Sequence, residues 1–185
     1  MQAPLTIILK IQMKIKKILS SLLFFSLLFS HTFADDKNIG SVTKLPIPRF
    51  VVIKAKDVNM RSGPGINYAS KIHYKCIFTP VEVFNEFDTW RLVRDINGNE
   101  GWIHEAMLDG RRYVQIKYSD KMRSTNDEVL LFRLPDEKSN PIARAERGTI
   151  GKLKECKKDW CRISFGRLHK GWIQKSNLWG VYANE

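Results

Sequence analysis

The sequence predicts an all-β protein: two tandem small β-barrels behind an N-terminal signal peptide. Three observations carry this reading. The second half of the chain repeats the first at a fixed spacing. The repeated segments are short β-branched or aromatic runs separated by turn residues. No stretch beyond residue 34 shows a helical period.

The leader comes first. From Met13 the chain reads MKIKKILSSLLFFSLLFSHTFA, with Lys14, Lys16 and Lys17 before an apolar run from Ile18 to Phe29. Small residues then suit cleavage after Ala34. The run falls short of the about 20 residues a membrane span needs, so residues 1–34 are expected to be removed. The twelve residues before Met13 read as an extended basic region or an upstream start. No cysteine follows the run for lipid attachment. Of 31 basic and 19 acidic residues, the leader takes four lysines and no acid, leaving 27 against 19. The mature protein is therefore basic and favours anionic partners, which outside the cytoplasm are wall polymers and envelope components rather than nucleic acid.

Residues 35–49 read as a linker stiffened by Pro46 and Pro48, residues 50–117 as the first barrel, 118–127 as a second linker and 128–185 as the second barrel. In the first barrel the strand runs are Phe50 to Lys56, Val81 to Phe87, Trp90 to Val93, Gly101 to His104 and Tyr113 to Lys117. Gly63-Pro64-Gly65, Asp88-Thr89 and Asn97-Gly98 supply the turns. At an offset of 70, Trp90 falls on Trp160, Trp102 on Trp172, Val93 on Ile163, Leu108 on Leu178 and Gly110 on Gly180. Upstream, Met60-Arg61 is matched to Phe132-Arg133 at an offset of 72. Strands this short in so few residues suit a barrel that closes on itself and leaves few free edges.

The stretch ECKKDWC, Glu155 to Cys161, holds two of the three cysteines. With Lys158-Asp159 as a two-residue turn, Cys156 faces Cys161 across a hairpin in a non-hydrogen-bonded pair, within disulfide reach. The same construction in the first copy sets Glu86 opposite Arg91, so an ion pair in one copy stands where two thiols stand in the other. An oxidising compartment makes a Cys156–Cys161 disulfide the expected state. A zinc site lacks ligands, since only His169 lies nearby, and a redox pair would be spaced Cys-x-x-Cys at a helix start. Cys76 is left unpaired and is expected to be buried, three residues after His73 on a strand and so facing away from it. An exposed Cys76 would instead be available for an intermolecular disulfide.

The run VNMRSGPGINY, Val58 to Tyr68, followed by PVEVFNEFDTWRLVRDINGNEGWIH and LDGRRY, resembles the bacterial SH3-like (SH3b-type) domain family. The second copy, ending GWIQKSNLWGVY, resembles a tandem partner, and the likeness covers about residues 50–182. It implies two SH3-like barrels in a periplasmic or secreted protein that binds peptidoglycan, its stem peptides or an envelope protein, without catalysis or cofactor. The second copy has Arg133-Leu134-Pro135 where the first has Arg61-Ser62-Gly63-Pro64, so its loop is not expected to bind the same ligand.

Candidate ligand-binding residues are Arg61, Tyr68, Lys71, Trp90 and Trp102, with Lys75, Arg111 and Arg112 extending a basic, aromatic surface. Trp90 and Trp160 lean towards packing, whereas Trp102 and Trp172 are open between core and surface. A loop carrying Arg61, Lys71, His73 and Lys75 does not suit Arg-flanked Pro-x-x-Pro peptides and does suit carboxylates. No nucleophile elbow, His-Glu-x-x-His pair or phosphate-cradling loop occurs. The expectation is a non-catalytic, cofactor-free wall-binding protein with no stable membrane span. The alternative is a structural or adaptor protein of the envelope that binds another protein through its barrels.

Overall fold

The computed structural model describes residues 38–117 and 128–185. The expected signal peptide and the 118–127 linker lie outside the described residues. Among the described residues fourteen strands form two seven-stranded antiparallel sheets. The first contains β1 (Arg49–Ile53), β2 (Val58–Arg61), β3 (Ser70–Tyr74), β4 (Pro80–Phe87), β5 (Trp90–Arg94), β6 (Glu100–His104) and β7 (Leu108–Asp109), in the order β3-β2-β6-β5-β4-β1-β7. The second contains β8 (Tyr113–Ile116), β9 (Glu128–Phe132), β10 (Pro141–Glu146), β11 (Ile150–Lys157), β12 (Trp160–Phe165), β13 (His169–Gln174) and β14 (Leu178–Trp179), in the order β10-β9-β13-β12-β11-β8-β14. Strand for strand, the second sheet repeats the first.

Each sheet wraps its own core. In the first, Val51, Ile53, Val58, Met60, Val81, Val83, Val93 and Ile103 pack together. In the second, Val114, Ile116, Val129, Leu131, Ile163, Ile173 and Leu178 do so. Alternation along strands puts these residues inside, and their neighbours form the outer face. Both long hairpins carry a bulge at the same place, between Val83 and Asn85 and between Leu153 and Glu155. Both turn through a left-handed residue, Asp88 at φ 46° and Lys158 at φ 51°.

Two boundaries differ from the sequence reading. Tyr113–Ile116, expected to finish the first barrel, instead pairs with β11 and β14 and opens the second. It is the counterpart of β1 at an offset of 63, outside the main repeat. The chain between Lys117 and Glu128 thus joins two strands of one sheet. The upstream match also shifts by one residue. Arg61 and Phe132 each pair with the tryptophan of the neighbouring strand, Trp102 and Trp172, which fixes the offset at 71. Met60 therefore matches Leu131, both fully buried; an offset of 72 would turn an inward side chain outward.

The first linker is folded where it is described. Ile39 bridges Pro46, and the Gly40 and Ile47 amides donate to the Leu45 and Asn38 carbonyls. This arm lies on the β4–β5 hairpin at Glu86. The Glu86 carboxylate accepts from the amides of Val42 (3.0 Å) and Thr43 (2.8 Å), the Thr43 hydroxyl (2.6 Å) and the Arg49 guanidinium (2.7 Å). A Cβ on Gly40 would come within 2.5 Å of that carboxylate, so only glycine lets the arm approach this closely. Across the hairpin Arg91 pairs with Glu86 in register, with its Nε 3.8 Å from the carboxylate, and also ion-pairs with Glu105.

In the second barrel the disulfide Cys156–Cys161 takes the place of that pair, with the two Cα atoms 4.0 Å apart and Lys157 opposite Trp160, the expected register. It closes a loop of only a few residues, so the chain-entropy contribution is roughly 2 kcal/mol. Replacing both cysteines with serine is expected to lower the stability of the second barrel by up to about 2 kcal/mol in urea unfolding, with hydrogen exchange in the first core unchanged. A loss shared equally by both cores would contradict this.

Cys76 is exposed, contrary to expectation. Strand β3 ends at Tyr74, and Cys76 lies in the turn that follows, where Phe78 adopts φ 65°, so strand alternation does not govern it.

The barrels pack against each other. Phe50 is buried against Trp179 (edge-on, 5.1 Å) and Tyr182 (4.7 Å). The Trp179 indole donates to the Pro80 carbonyl, and the Tyr182 hydroxyl donates to Glu82 at 2.9 Å. Phe78 stacks on Tyr113 at 4.5 Å with Arg111 over its ring at 4.8 Å.

Candidate binding site

The outer face of β2, β6 and β5 in the first barrel gathers most of the candidate residues into rows. Register places Arg61 beside Trp102 and Trp102 beside Leu92. The next row pairs His104 with Trp90, and the opposite row pairs Glu100 with Arg94. Trp102 is half-exposed at the centre. Trp90 is 9% exposed and packs edge-on against His104 at 5.3 Å, so most of its ring is covered.

The β2–β3 loop, residues 62–69, borders this face. Its ends are joined by the Ser62 amide donating to the Ala69 carbonyl, and inside it the Gly65 amide donates to Gly63 and the Tyr68 amide to Gly65. The Tyr68 ring lies across the glycines: a Cβ on Gly63 would sit 2.4 Å from it and one on Gly65 3.3 Å away. The Arg61 guanidinium donates to the Tyr68 carbonyl at 2.8 Å, which ties the loop to β2. Among the described residues Arg61 has no carboxylate partner. Tyr68 is 50% exposed. Lys71 donates to the Glu100 carbonyl at 2.6 Å, which holds its ammonium at the rim. Arg94, bonded to Glu100, has its guanidinium pKa pushed up by that bond.

The turn after β5 is built on Asp95, which is buried. Its carboxylate accepts from the amides of Asn97 and Asn99, the Asn99 side chain and the Tyr74 hydroxyl. Burial first, then the adjacent Asp95 charge, pushes the Tyr74 hydroxyl pKa well above its ordinary value.

Lys75 is exposed in the β3–β4 turn. Arg111 and Arg112 do not join this face. Arg111 is engaged by Phe78 and Asp109, and Arg112 by Gly180 and Glu185. His104, Leu92 and Glu100 escaped sequence reading because only the cross-strand register shows that they share a face with Trp102.

The second barrel presents the same backbone with different side chains. The loop bonds recur at an offset of 71: Arg133 to Asn140, Asp136 to Leu134 and Ser139 to Asp136. Phe132 replaces Arg61 and packs edge-on to Trp160 at 5.4 Å, Ser139 replaces Tyr68, and Leu134 replaces Gly63. Trp172 is only 6% exposed and lies beneath the Lys157 ammonium at 5.5 Å. This face is filled by its own side chains.

The fold and face together define a twin small-barrel protein with one open, basic and aromatic surface. The model of the bacterial SH3 domain matches residues 54–110 and 125–180, more than half of the chain. The protein belongs to the bacterial SH3 domain family, as two tandem copies. Among solved structures, NlpC2 from Trichomonas vaginalis is 13% identical, matching 71% of this chain and 48% of its own at a TM-score of 0.30. NlpC1 from Trichomonas vaginalis is 12% identical, matching 76% of this chain and 48% of its own, also at 0.30. The chain spans about half the length of these two proteins. No curated protein matches it.

Proposed function

We propose that the protein is a non-catalytic, extracytoplasmic binding module that recognises peptidoglycan or its stem peptides through the Arg61–Tyr68–Trp102 face. One observation carries the reading. In the first barrel a guanidinium without a carboxylate partner among the described residues, a half-exposed phenol and an indole converge on one face, whereas the matching positions of the second barrel are Phe132, Ser139 and a covered Trp172. Such a face suits peptides that end in carboxylates, because guanidinium and carboxylate form paired charge-assisted hydrogen bonds while the aromatics cover the apolar parts. Bacterial SH3 domains are generally binding modules, which supports a non-catalytic role. The disulfide supports an oxidising compartment, as does the leader expected to be cleaved after Ala34. Among the described residues no helix is long and apolar enough to cross a membrane.

Co-sedimentation with purified peptidoglycan tests this. The protein is expected to pellet at low and at physiological salt, and the Arg61→Ala, Tyr68→Ala double variant to lose at least about tenfold in affinity through the missing charge-assisted bonds and aromatic contact. Failure to pellet at physiological salt, or equal pelleting by the variant, would overturn the proposal.

A further inference from the structure

A second concavity, separate from the outer face, lies between the barrels. Its volume is about 410 Å³, within the range of small-ligand sites. The first barrel contributes Ile96 and Asn97 from the Asp95 turn. The second contributes Gln115 and Lys117 from the β8 end, Arg147 and Gly148 from the β10–β11 turn, and Trp179. Among the described lining residues two are cationic and none is a carboxylate.

The walls are fixed before any ligand arrives. Trp179 is held by its bond to the Pro80 carbonyl and by Phe50, so its ring is a rigid platform. The Gln115 backbone is paired on both sides, with Ile150 and with Trp179. The Gly148 amide donates to the Ile116 carbonyl at φ 76°, a conformation that favours glycine, and a Cβ there would stand 3.8 Å from the Gln115 amide nitrogen. Within this frame the Gln115 Oε1 is buried and accepts no hydrogen bond. Gln115 lines the cleft, and its soft terminal torsion can turn this unmet acceptor from its buried position towards a bound donor, which removes the cost of leaving it unpaired.

We infer that this cleft binds a small carboxylate carrying an N–H donor, of about dipeptide size. The carboxylate lies between Lys117 and Arg147, the N–H donates to Gln115 Oε1, and the apolar part rests on Trp179. The inference does not rest on the outer face of the first barrel, and its test leaves that face intact.

Titration of the ¹⁵N-labelled protein with glycylglycine, and with glycylglycinamide as the carboxylate-blocked control, tests it by NMR. Glycylglycine is expected to give saturable shifts at the Gln115 and Gly148 amides and the Trp179 indole N–H below about 10 mM, the range of weak small-ligand binding. The amide is expected to bind at least about tenfold more weakly, as is glycylglycine to the Lys117→Gln, Arg147→Gln double variant, since each comparison removes a charge-assisted pair. Unchanged dispersion elsewhere in the double variant's spectrum reports an intact fold. Absence of saturable shifts, equal binding of the amide, or undiminished binding by the double variant with its fold intact would each overturn the inference.

Discussion

Replacing Glu86 with glutamine is expected to destabilise the protein by roughly 3 kcal/mol at neutral pH. Glu86 is buried, with its side chain 0% exposed, and burial alone would raise its pKa. The Thr43 hydroxyl and amide, Arg49 and the Val42 amide outweigh burial and hold it at about 2, against an ordinary 4.5. That difference corresponds to roughly 3 kcal/mol favouring the charged, folded form. The folded pKa is the lower one, so this stability is fully present above about pH 5 and is lost as pH falls from 4.5 through 2. The gap in melting temperature between parent and variant should therefore be widest near neutrality and shrink in acid. Hydrogen exchange at the Val42 and Thr43 amides should quicken in the variant, because the arm is held through them. A gap independent of pH would show that the mismatched hydrogen bonds of the neutral amide, and not the lost charge, were responsible.

Trp179→Ala is expected to cost about 3–5 kcal/mol, the usual range for truncating a packed aromatic, and to change the form of unfolding. The indole spans the junction: it donates to Pro80 of the first barrel and packs on Phe50. The parent barrels should unfold in one calorimetric transition because Phe50, Phe78 and Glu82 are each engaged by side chains of the second barrel. Without Trp179 the expected result is two separable transitions. A single transition at an unchanged temperature would show that Phe78 and Tyr113, with the Tyr182–Glu82 bond, suffice to couple them. Burial and the nearby Glu82 charge raise the Tyr182 hydroxyl pKa, so this phenol stays protonated and keeps donating in alkaline solution.

The two clasped hairpins were legible because their information is local. An offset of 70 carries Glu86 and Arg91 onto Cys156 and Cys161, and a two-residue turn leaves only one register. What escaped the sequence depends on long-range pairing. The residues of β8 look like the end of one repeat because they follow Asp109 closely, yet their partners lie at Ile150 to Lys152 and Leu178 to Trp179. β2 and β3 are four and five residues long and half-exposed, so they carry little periodicity. Of the site, Arg61 and Tyr68 were visible through the glycine-rich loop. The packing of Trp90 and Trp160 was visible too, but the difference between the half-exposed Trp102 and the covered Trp172 was not, because inward and outward positions exchange with a shift of one residue. The arm at residues 38–48 resembled a spacer because proline-bearing segments usually are; its Gly40-Ser41-Val42-Thr43 nest becomes meaningful only opposite Glu86.

The placement of β8 bears on how this molecule can be taken apart. A protease that cuts between Lys117 and Glu128 severs the segment that looks like the hinge between halves, but it separates two strands of the same sheet. The nicked halves would remain interlocked, with the N-terminal fragment lending its last strand to the other, and would part only under denaturant. The true seam is the three residues Gly110 to Arg112, between β7 and β8. Fragments divided there give each barrel its full set of seven strands, and that is the division with which to ask what each barrel recognises alone.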